Sequence, residues 1–307
     1  MTIGIPRALP YYHFGLLWEV FFKELDIPYL LSDNSTQKTV TTGVSLGMDE
    51  TCLPYKLYMG HIASLIGKAD KILVPYLKHM GSDKEFCLRY WGLYDTVSAT
   101  FPEAKLLSYP LASGKKHAQL HSFLALGKTL GKNHNAIVHA YRKAQIAQQA
   151  ALEERQIVMS QKLQSTQTKV LLAGQDYLLL DPLFGGNIQR ELENLGVLVI
   201  SCDAWEKGKR NLQAQKIAPK LYWHKNREIL GAIEQGKYLV DGVILLGAFP
   251  CGADSLTHEL VFSRIKHLPI MQVLVDEHQG REGLLTRLES FIDLLEAGKN
   301  ISTQEAI

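Results

Sequence analysis

The feature that most constrains the fold is an alternation of short apolar runs with longer segments whose apolar residues recur at helical spacing. A β-branched run at 2–5 precedes helical spacing over 11–25 and a second apolar run at 27–31. This order is typical of parallel sheets covered by helices. Further strands are predicted at 71–74, 105–108, 169–173, 197–200, 242–246 and 270–275. The sequence therefore predicts an α/β chain with two Rossmann-like, doubly wound domains.

A change in composition separates the two predicted domains. Lys, Gln, Ala and His dominate residues 115–165, and residues 135–164 keep helical spacing without strand signals. We predict an N-terminal Rossmann-like domain over 1–112, a helical connector over 113–166 and a C-terminal Rossmann-like domain over 167–307. Gly127-Lys128-Thr129 lies in the connector and is similar to the end of a P-loop. Ser122 replaces the first glycine of that motif and no strand precedes it, so a P-loop is excluded.

Composition and charge exclude several classes of function. The formal net charge of +2 is carried by interspersed acids and bases, which gives no basic surface for nucleic acid or a membrane. No apolar run reaches the roughly 18 residues that a membrane span needs. A proline-containing turn occupies the first ten residues in place of a signal-peptide core. We therefore expect a cytoplasmic protein, in which the four cysteines are buried, catalytic or metal-bound rather than paired in disulfides.

Three of those cysteines share one local pattern. Cys52, Cys87 and Cys251 each lie in a loop or turn that leads into a predicted helix. Pro54 follows Cys52 by two residues and favours a helix start there, where the helix dipole stabilises a thiolate. No two of the three stand at Cys-x-x-Cys spacing, so the pattern by itself leaves a metal site and inert buried cysteines both open.

A set of motifs spread along the chain adds a family resemblance. The motifs are IGIPRAL at 3–9, ETCLPYK at 50–56 with GH at 60–61, FC at 86–87 with WGL at 91–93, FPCGADS at 249–255, and DEH at 276–278 with TRLE at 286–289. Together they resemble the 2-hydroxyacyl-CoA dehydratase superfamily, specifically its activase-associated branch of uncharacterised domains. Leu88, Pro250 and Ala253 depart from the residues common at those positions, and none of these departures removes a cysteine.

The resemblance implies a 4Fe-4S cluster held by Cys52, Cys87 and Cys251. It places this cluster between the two Rossmann-like domains, with one iron open to substrate, water or sulfide. In the dehydratases such a cluster receives an electron from a separate ATP-hydrolysing activator, which has its own iron-sulfur cluster, and passes it to an acyl-CoA. The resemblance thus implies a low-potential reductase or dehydratase-type component with a small-molecule substrate such as a CoA thioester. Cys202 matches none of the motifs and is predicted to be a buried bystander.

Three further residues are candidates for catalytic roles. Lys56, one turn into the predicted helix, would contact substrate or cluster sulfide; the structural alternative is a solvated lysine or a pair with Glu50. Glu277 and His278 follow a predicted strand and would donate protons. The alternative for these two is a buried polar pair that fastens the last helix through Arg287 or Glu289.

Two other functions stay open on the sequence. One is an electron-transfer or cluster-holding protein without its own substrate, with a larger or double cluster at a dimer interface between copies or related subunits. The other is a zinc protein in which the three cysteines are joined by His61 or His258.

Overall fold

A computed structural model describes residues 1–77, 86–111, 116–278 and 280–304. The chain forms two compact units, the first of residues 1–153 with 222–224 and the second of residues 154–221 with 225–307. Within the described part of the chain, no helix combines the length and the apolar character needed to cross a membrane.

The first unit is built on a parallel sheet of four strands in the order β2-β1-β3-β5. Its central strand β1 is fully buried, as expected for a parallel strand covered on both faces. The strands of this unit are β1 (Ile3–Ile5), β2 (Tyr29–Leu31), β3 (Lys71–Leu73), β4 (Tyr76–Leu77), β5 (Leu106–Leu107) and β6 (Pro110–Leu111). The helices from the N-terminus through α7, which is 31 residues long, are α1 (Tyr11–Glu24), α2 (Gln37–Leu46), α3 (Leu53–Leu65), α4 (Leu88–Trp91), α5 (Leu93–Thr100), α6 (Lys116–Thr129) and α7 (His134–Gln164).

Aromatic side chains fill the core of the first unit. Trp18 on α1 donates a hydrogen bond from Nε1 to the Tyr109 hydroxyl over 2.5 Å, and both side chains are buried. The Phe123 ring of α6 lies 5.0 Å from that of Tyr141 on α7. Residues on the first turns of α7, including Ile137, belong to the same core cluster. The beginning of the predicted helical connector therefore packs on the first sheet, and the division between the two units falls inside α7, after residue 153.

The second unit repeats the strand order of the first. Its four parallel strands have the order β10-β9-β7-β8, so the first strand in sequence is central, the second lies on one side, and the third and fourth lie on the other. The elements are β7 (Lys169–Gly174), α8 (Asp176–Leu179), α9 (Gly185–Asn194), β8 (Leu198–Ser201), a 3₁₀ turn (Cys202–Ala204), α10 (Lys207–Ile217), α11 (His224–Gly236), β9 (Gly242–Ala248), α12 (Gly252–Arg264), β10 (Ile270–Val275) and α13 (Arg281–Gln304).

The predicted fold class is confirmed, since both sheets are parallel and strands alternate with helices. Among the elements that the sequence did not predict are β4, β6 and α10. The strands β4 and β6 pair with each other in a small parallel sheet, and α10 occupies a segment that the sequence analysis left without structure. Two-residue strands are too short to show a period, and α10 is mostly polar. The polar loop predicted at 80–86 lies outside the described residues except for its last residue.

Candidate functional site

The three candidate cysteines occupy equivalent local positions. Cys52, Cys87 and Cys251 are the N-cap residues of α3, α4 and α12, each in an extended backbone conformation. All three are partly exposed and none is in a disulfide. A helix that follows a parallel strand begins beyond the carboxyl end of that strand, which is the edge where α/β sheets bind ligands. Cys251 begins the helix that follows β9 and lies at this edge of the second sheet, whereas Cys52 follows α2 and Cys87 lies in the crossover from β3 to β5.

The start of α3 has the local structure that the sequence predicts. The Cys52 carbonyl accepts hydrogen bonds from the backbone N–H groups of Tyr55 over 3.0 Å and Lys56 over 3.2 Å. Pro54 stands in the first turn, where its missing N–H costs no helical hydrogen bond. The predicted helix start at Cys52 is confirmed.

Contacts within the first unit join the helix starts at Cys52 and Cys87. The Arg89 guanidinium lies 6.0 Å from the ring centroid of Tyr55, which brings the second residue after Cys87 to the third residue after Cys52. Burial raises the pKa of Tyr55, with the nearby Arg89 charge opposing this shift. On the other side of Cys87, the rings of Phe86 and Tyr90 stack with centroids 5.3 Å apart. The two N-caps therefore belong to one locally packed region of aromatic side chains.

In the second unit, Cys251 ends a loop fixed between two strands. The Phe249 N–H donates to the Val275 carbonyl at the end of β10 over 2.9 Å, and the Phe249-Pro250 peptide is cis. The Cys251 carbonyl accepts from the backbone N–H of Ser255 over 3.0 Å and from its hydroxyl over 2.9 Å. The thiol is thus presented at the first turn of α12 by a backbone held at both ends.

Cys202 has a different environment. Its side chain is 2% exposed, and the thiol donates to the Gly174 carbonyl over 3.4 Å. Burial raises its pKa to about 12, which keeps the group a thiol. The prediction that Cys202 is buried is confirmed.

Lys56 is buried rather than solvated. Its side chain is 3% exposed, whereas Glu50 is exposed at the surface. The aliphatic part of the Lys56 side chain lies against the end of α2. A Cβ on Gly47, the C-cap residue of that helix, would lie 3.0 Å from Lys56 Cγ. The solvated alternative for Lys56 is therefore wrong, because the close approach of α2 and α3 encloses the side chain.

Glu277 and His278 lie just beyond the carboxyl end of β10, where the sequence placed them. The His278 side chain is exposed, and its backbone N–H donates to Asp276 Oδ1 over 2.8 Å. Arg287 donates to the Gln272 carbonyl over 2.6 Å. The alternative of a buried pair is therefore wrong for His278, which is open to solvent.

The two histidines considered as zinc ligands are both buried. His61 Nδ1 lies 2.9 Å from Ser32 Oγ and its Nε2 lies 3.0 Å from Ser35 Oγ, so both ring nitrogens take part in hydrogen bonds. Burial, with the charge of Arg7, lowers the pKa of His61 to about 4. His258 Nδ1 lies 2.7 Å from Gln272 Nε2, and burial lowers the pKa of that ring too. Zinc ligation by either ring nitrogen of His61 would break one of these two buried hydrogen bonds.

A buried polar cluster at the start of α11 was missed by the sequence analysis. Lys225 Nζ lies 2.6 Å from Asp176 Oδ2 and 3.4 Å from Glu228 Oε2, and these two charges raise the pKa of Lys225 against the effect of burial. Glu228 and Asn226 are buried, while the side chains of Lys225 and Asp176 are partly buried. The only signal in the sequence is the polar run HKNRE at 224–228, which is equally typical of an exposed helix start.

Among the residues that the structure describes, no three His, Cys, Asp or Glu side chains form a group able to hold a metal ion. The three-cysteine ligand set and the cluster therefore stay predictions. The chemistry of the donors nevertheless fits the cluster, because three partly exposed thiols at helix starts supply thiolates and leave one iron without a protein ligand.

A family model matches residues 2–205, and its description is CoA enzyme activase uncharacterised domain. The chain belongs to this family. The description links the chain to CoA-enzyme activation. The match includes Cys52, Cys87 and Cys202 and ends before Cys251, so the family assignment by itself is independent of the third candidate ligand.

Comparisons with individual proteins add little to this family assignment. No curated protein matches the chain. Among solved structures, the chain is similar to the AdcAII protein of Streptococcus pneumoniae, with 12% identity, a TM-score of 0.30 and coverage of 96% of this chain and 98% of that one. A likeness at that TM-score supports no statement about fold or function.

Proposed function

We propose that this member of the CoA enzyme activase family is a 4Fe-4S redox protein whose ligands are Cys52, Cys87 and Cys251. The observation that supports it is the contrast among the four cysteines. Three are partly exposed N-cap residues, of α3, α4 and α12, and Cys202 is a buried thiol with a raised pKa. The proposed ligand set draws Cys52 and Cys87 from the first unit and Cys251 from the second.

When bound, such a cluster would supply low-potential single electrons to a small substrate at its open iron. The chain's own contribution is electrostatic. Backbone N–H groups at a helix start favour negatively charged sulfur, and the buried Lys56 lies on the same helix, one turn after Cys52. We propose that Lys56 offsets part of the negative charge of the cluster or orients an anionic substrate group.

We further propose that Glu277 and His278 handle protons. Both follow β10, which is paired in parallel with β9, the strand that leads to Cys251. The imidazole of His278 is exposed to solvent, which gives a proton donor to a reduced substrate access to water.

The proposed partners follow from the electron supply. The described residues hold no P-loop, since the segment resembling one lies within α6. We propose that ATP hydrolysis and electron donation come from a separate activator with its own iron-sulfur cluster. The substrate would be a small molecule, of which a CoA thioester is the first to test because of the family link to CoA enzymes.

Electron paramagnetic resonance tests whether the protein has an open, substrate-binding iron. The protein is reconstituted anaerobically with iron and sulfide, reduced with dithionite, and its spectrum is recorded with and without an acyl-CoA. We expect the g values to shift on addition of the thioester. A cluster whose spectrum is unchanged by acyl-CoA and by small anions would instead support an electron-transfer protein without its own substrate.

A further inference from the structure

The first turn of α12, which begins at Cys251, is held by a buried amide cluster in the second unit. We name Gln175, Asn226, Asp254 and Thr257 the amide cluster; every member is at most 6% exposed. Gln175 directly follows β7, Asn226 lies at the start of α11, and Asp254 and Thr257 lie on α12. The cluster therefore joins three elements beyond the carboxyl end of the central strand.

Asn226 is the centre of this cluster. Its Oδ1 accepts a hydrogen bond from Gln175 Nε2 over 3.2 Å. Its Nδ2 lies 2.8 Å from Thr257 Oγ1, 3.1 Å from the Ala253 carbonyl and 3.2 Å from Asp254 Oδ1. The Thr257 hydroxyl donates to the Ala253 carbonyl over 2.8 Å, so it is free to accept from Asn226. One amide thus binds the backbone and two side chains of the turn that follows Cys251.

The cluster also fixes the loop on the other side of the cysteine. Asp254 Oδ1 accepts a second hydrogen bond, from Gln175 Nε2 over 3.1 Å, and Asp254 Oδ2 lies 3.5 Å from the backbone nitrogen of Ala248. Ala248 is the last residue of β9, so Asp254 holds the two ends of the segment that contains Cys251 close together. A buried amide or carboxylate that lost these partners would pay the free energy of desolvation without a compensating hydrogen bond. Movements that break the cluster are therefore unfavourable, and the arrangement is rigid.

From this geometry we propose that Asn226 is a positioning residue for Cys251, and this inference rests on the proposed function. Asn226 touches neither a substrate nor the thiol in the contacts above; it acts through the backbone of residues 253–257. Residues that orient metal ligands from outside the ligand shell typically change metal affinity by about 10- to 100-fold when they are replaced. Loss of Asn226 would therefore weaken the hold of Cys251 on iron more than it weakens the fold.

The test compares Asn226→Ala with Arg227→Met. Arg227 is the next residue on α11, and its Nη1 donates to the carbonyls of Pro219 and Leu221 over 2.8 and 3.4 Å, neither of which belongs to α12. Both variants lose buried hydrogen bonds of the same helix, so the second reports the effect of destabilisation alone. Thr257→Val, which removes one acceptor of Asn226, provides a milder variant if Asn226→Ala folds poorly.

Three measurements are made on each reconstituted protein: transfer of iron to a chelator under anaerobic conditions, the electron paramagnetic resonance line shape after reduction, and the melting temperature of the cluster-free form. We expect Asn226→Ala to release iron about tenfold faster than wild type, with a broadened signal, and Thr257→Val to shift in the same direction. Arg227→Met should keep the wild-type release rate even where its melting temperature falls.

Two results would overturn the inference, and they are distinguishable. If Asn226→Ala keeps iron and line shape like Arg227→Met, the amide cluster only stabilises the fold while the proposed function stands. If the wild-type protein binds no iron at all, the proposed function fails and the positioning role fails with it.

Discussion

At the scale of single residues, burial separates the four cysteines. Cys202 is 2% exposed and its pKa is raised to about 12, while Cys52, Cys87 and Cys251 are partly exposed N-cap residues. Since the thiolate is the reactive form, the raised pKa lowers the reactive fraction of Cys202 at pH 8. The structure therefore predicts that its thiol chemistry differs from that of the other three.

Alkylation of the cluster-free protein tests this difference. We expect iodoacetamide at pH 8 to modify Cys202 about a thousandfold more slowly than an ordinary exposed thiol, because a pKa three units higher lowers the thiolate fraction by that factor. Peptide mass spectrometry over a time course gives the rate at each cysteine. Equal rates at Cys202 and Cys251 would contradict the buried environment.

His61 predicts a pH dependence of stability. Its pKa is lowered to about 4, first by burial and then by the charge of Arg7, with Asp33 opposing both. The unfolded chain, with a histidine pKa near 6.5, therefore binds a proton that the folded chain rejects. The contribution of His61 to the free energy of unfolding is fully present above about pH 6.5. It is lost as the pH drops toward 4, by about 3 kcal/mol in all.

Chemical unfolding of wild type and His61→Gln between pH 7.5 and 4.5 measures the contribution of His61 to the pH dependence of stability. We expect the variant to be less stable at pH 7.5 but to lose less stability on acidification. His134→Gln, which replaces an exposed histidine, serves as the control and should follow the wild-type slope. A His61→Gln variant with an unchanged slope would show that this histidine is not responsible.

Local sequence signals predicted where a helix begins, but they did not predict which polar side chains are buried. Pro54 predicts the Cys52 N-cap because both lie within one turn. His61 bonds to Ser32 and Ser35, and Asn226 bonds to Gln175, partners that are 26 to 51 positions away in the chain. Such contacts depend on the tertiary fold, and no local pattern distinguishes a buried Asn226 or Lys56 from an exposed one.

At the scale of elements, α2 and α3 pack with their backbones in close contact. A Cβ on Gly43 would lie 2.0 Å from the Lys56 carbonyl oxygen, and one on Gly60 would lie 2.3 Å from that of Thr39. Backbone atoms on a packed helix cannot shift as a side chain can. The two glycines therefore set the distance between α2 and the helix that carries Cys52.

Gly43→Ala should lower the stability of the cluster-free protein by about 1–3 kcal/mol, since overpacking forces the helices apart. Gly283→Ala is the matched control, because nothing lies within 4 Å of its Cβ position on α13. That substitution should be neutral or stabilise by about 0.5–1 kcal/mol through helix propensity. Thermal unfolding followed by circular dichroism measures both; a Gly43→Ala variant as stable as wild type would contradict the close packing.

The repeated strand order places the cysteines by topology. Cys87 and Cys251 both lie in the crossover from the third to the fourth strand of their main sheets, and Cys52 and Cys202 both lie in the crossover from the second to the third. The alternation of apolar runs predicted this βαβ order because parallel strands need helical crossovers. It did not predict α10 or the small sheet of β4 and β6, whose short or polar segments carry no clear period.

At the scale of the whole molecule, the family match and the cysteine pattern support different conclusions. The match over residues 2–205 shows the link to CoA-enzyme activation. The cluster, its three ligands and the activator stay proposals that rest on the resemblance and on the environment of each cysteine. The proposed ligand set could not be derived from spacing, because positions 52, 87 and 251 lie far apart in the sequence.

The central claim is that three thiolates, and not the fourth, hold one 4Fe-4S cluster. The most direct measurement is iron and acid-labile sulfide per chain in anaerobically purified protein, for wild type and for the four single Cys→Ser variants. We expect about four irons and four sulfides in wild type and in Cys202→Ser, and a strong loss in Cys52→Ser, Cys87→Ser and Cys251→Ser. A colourless wild-type protein that contains zinc and no acid-labile sulfide, or a Cys202→Ser variant that loses the cluster, would contradict it.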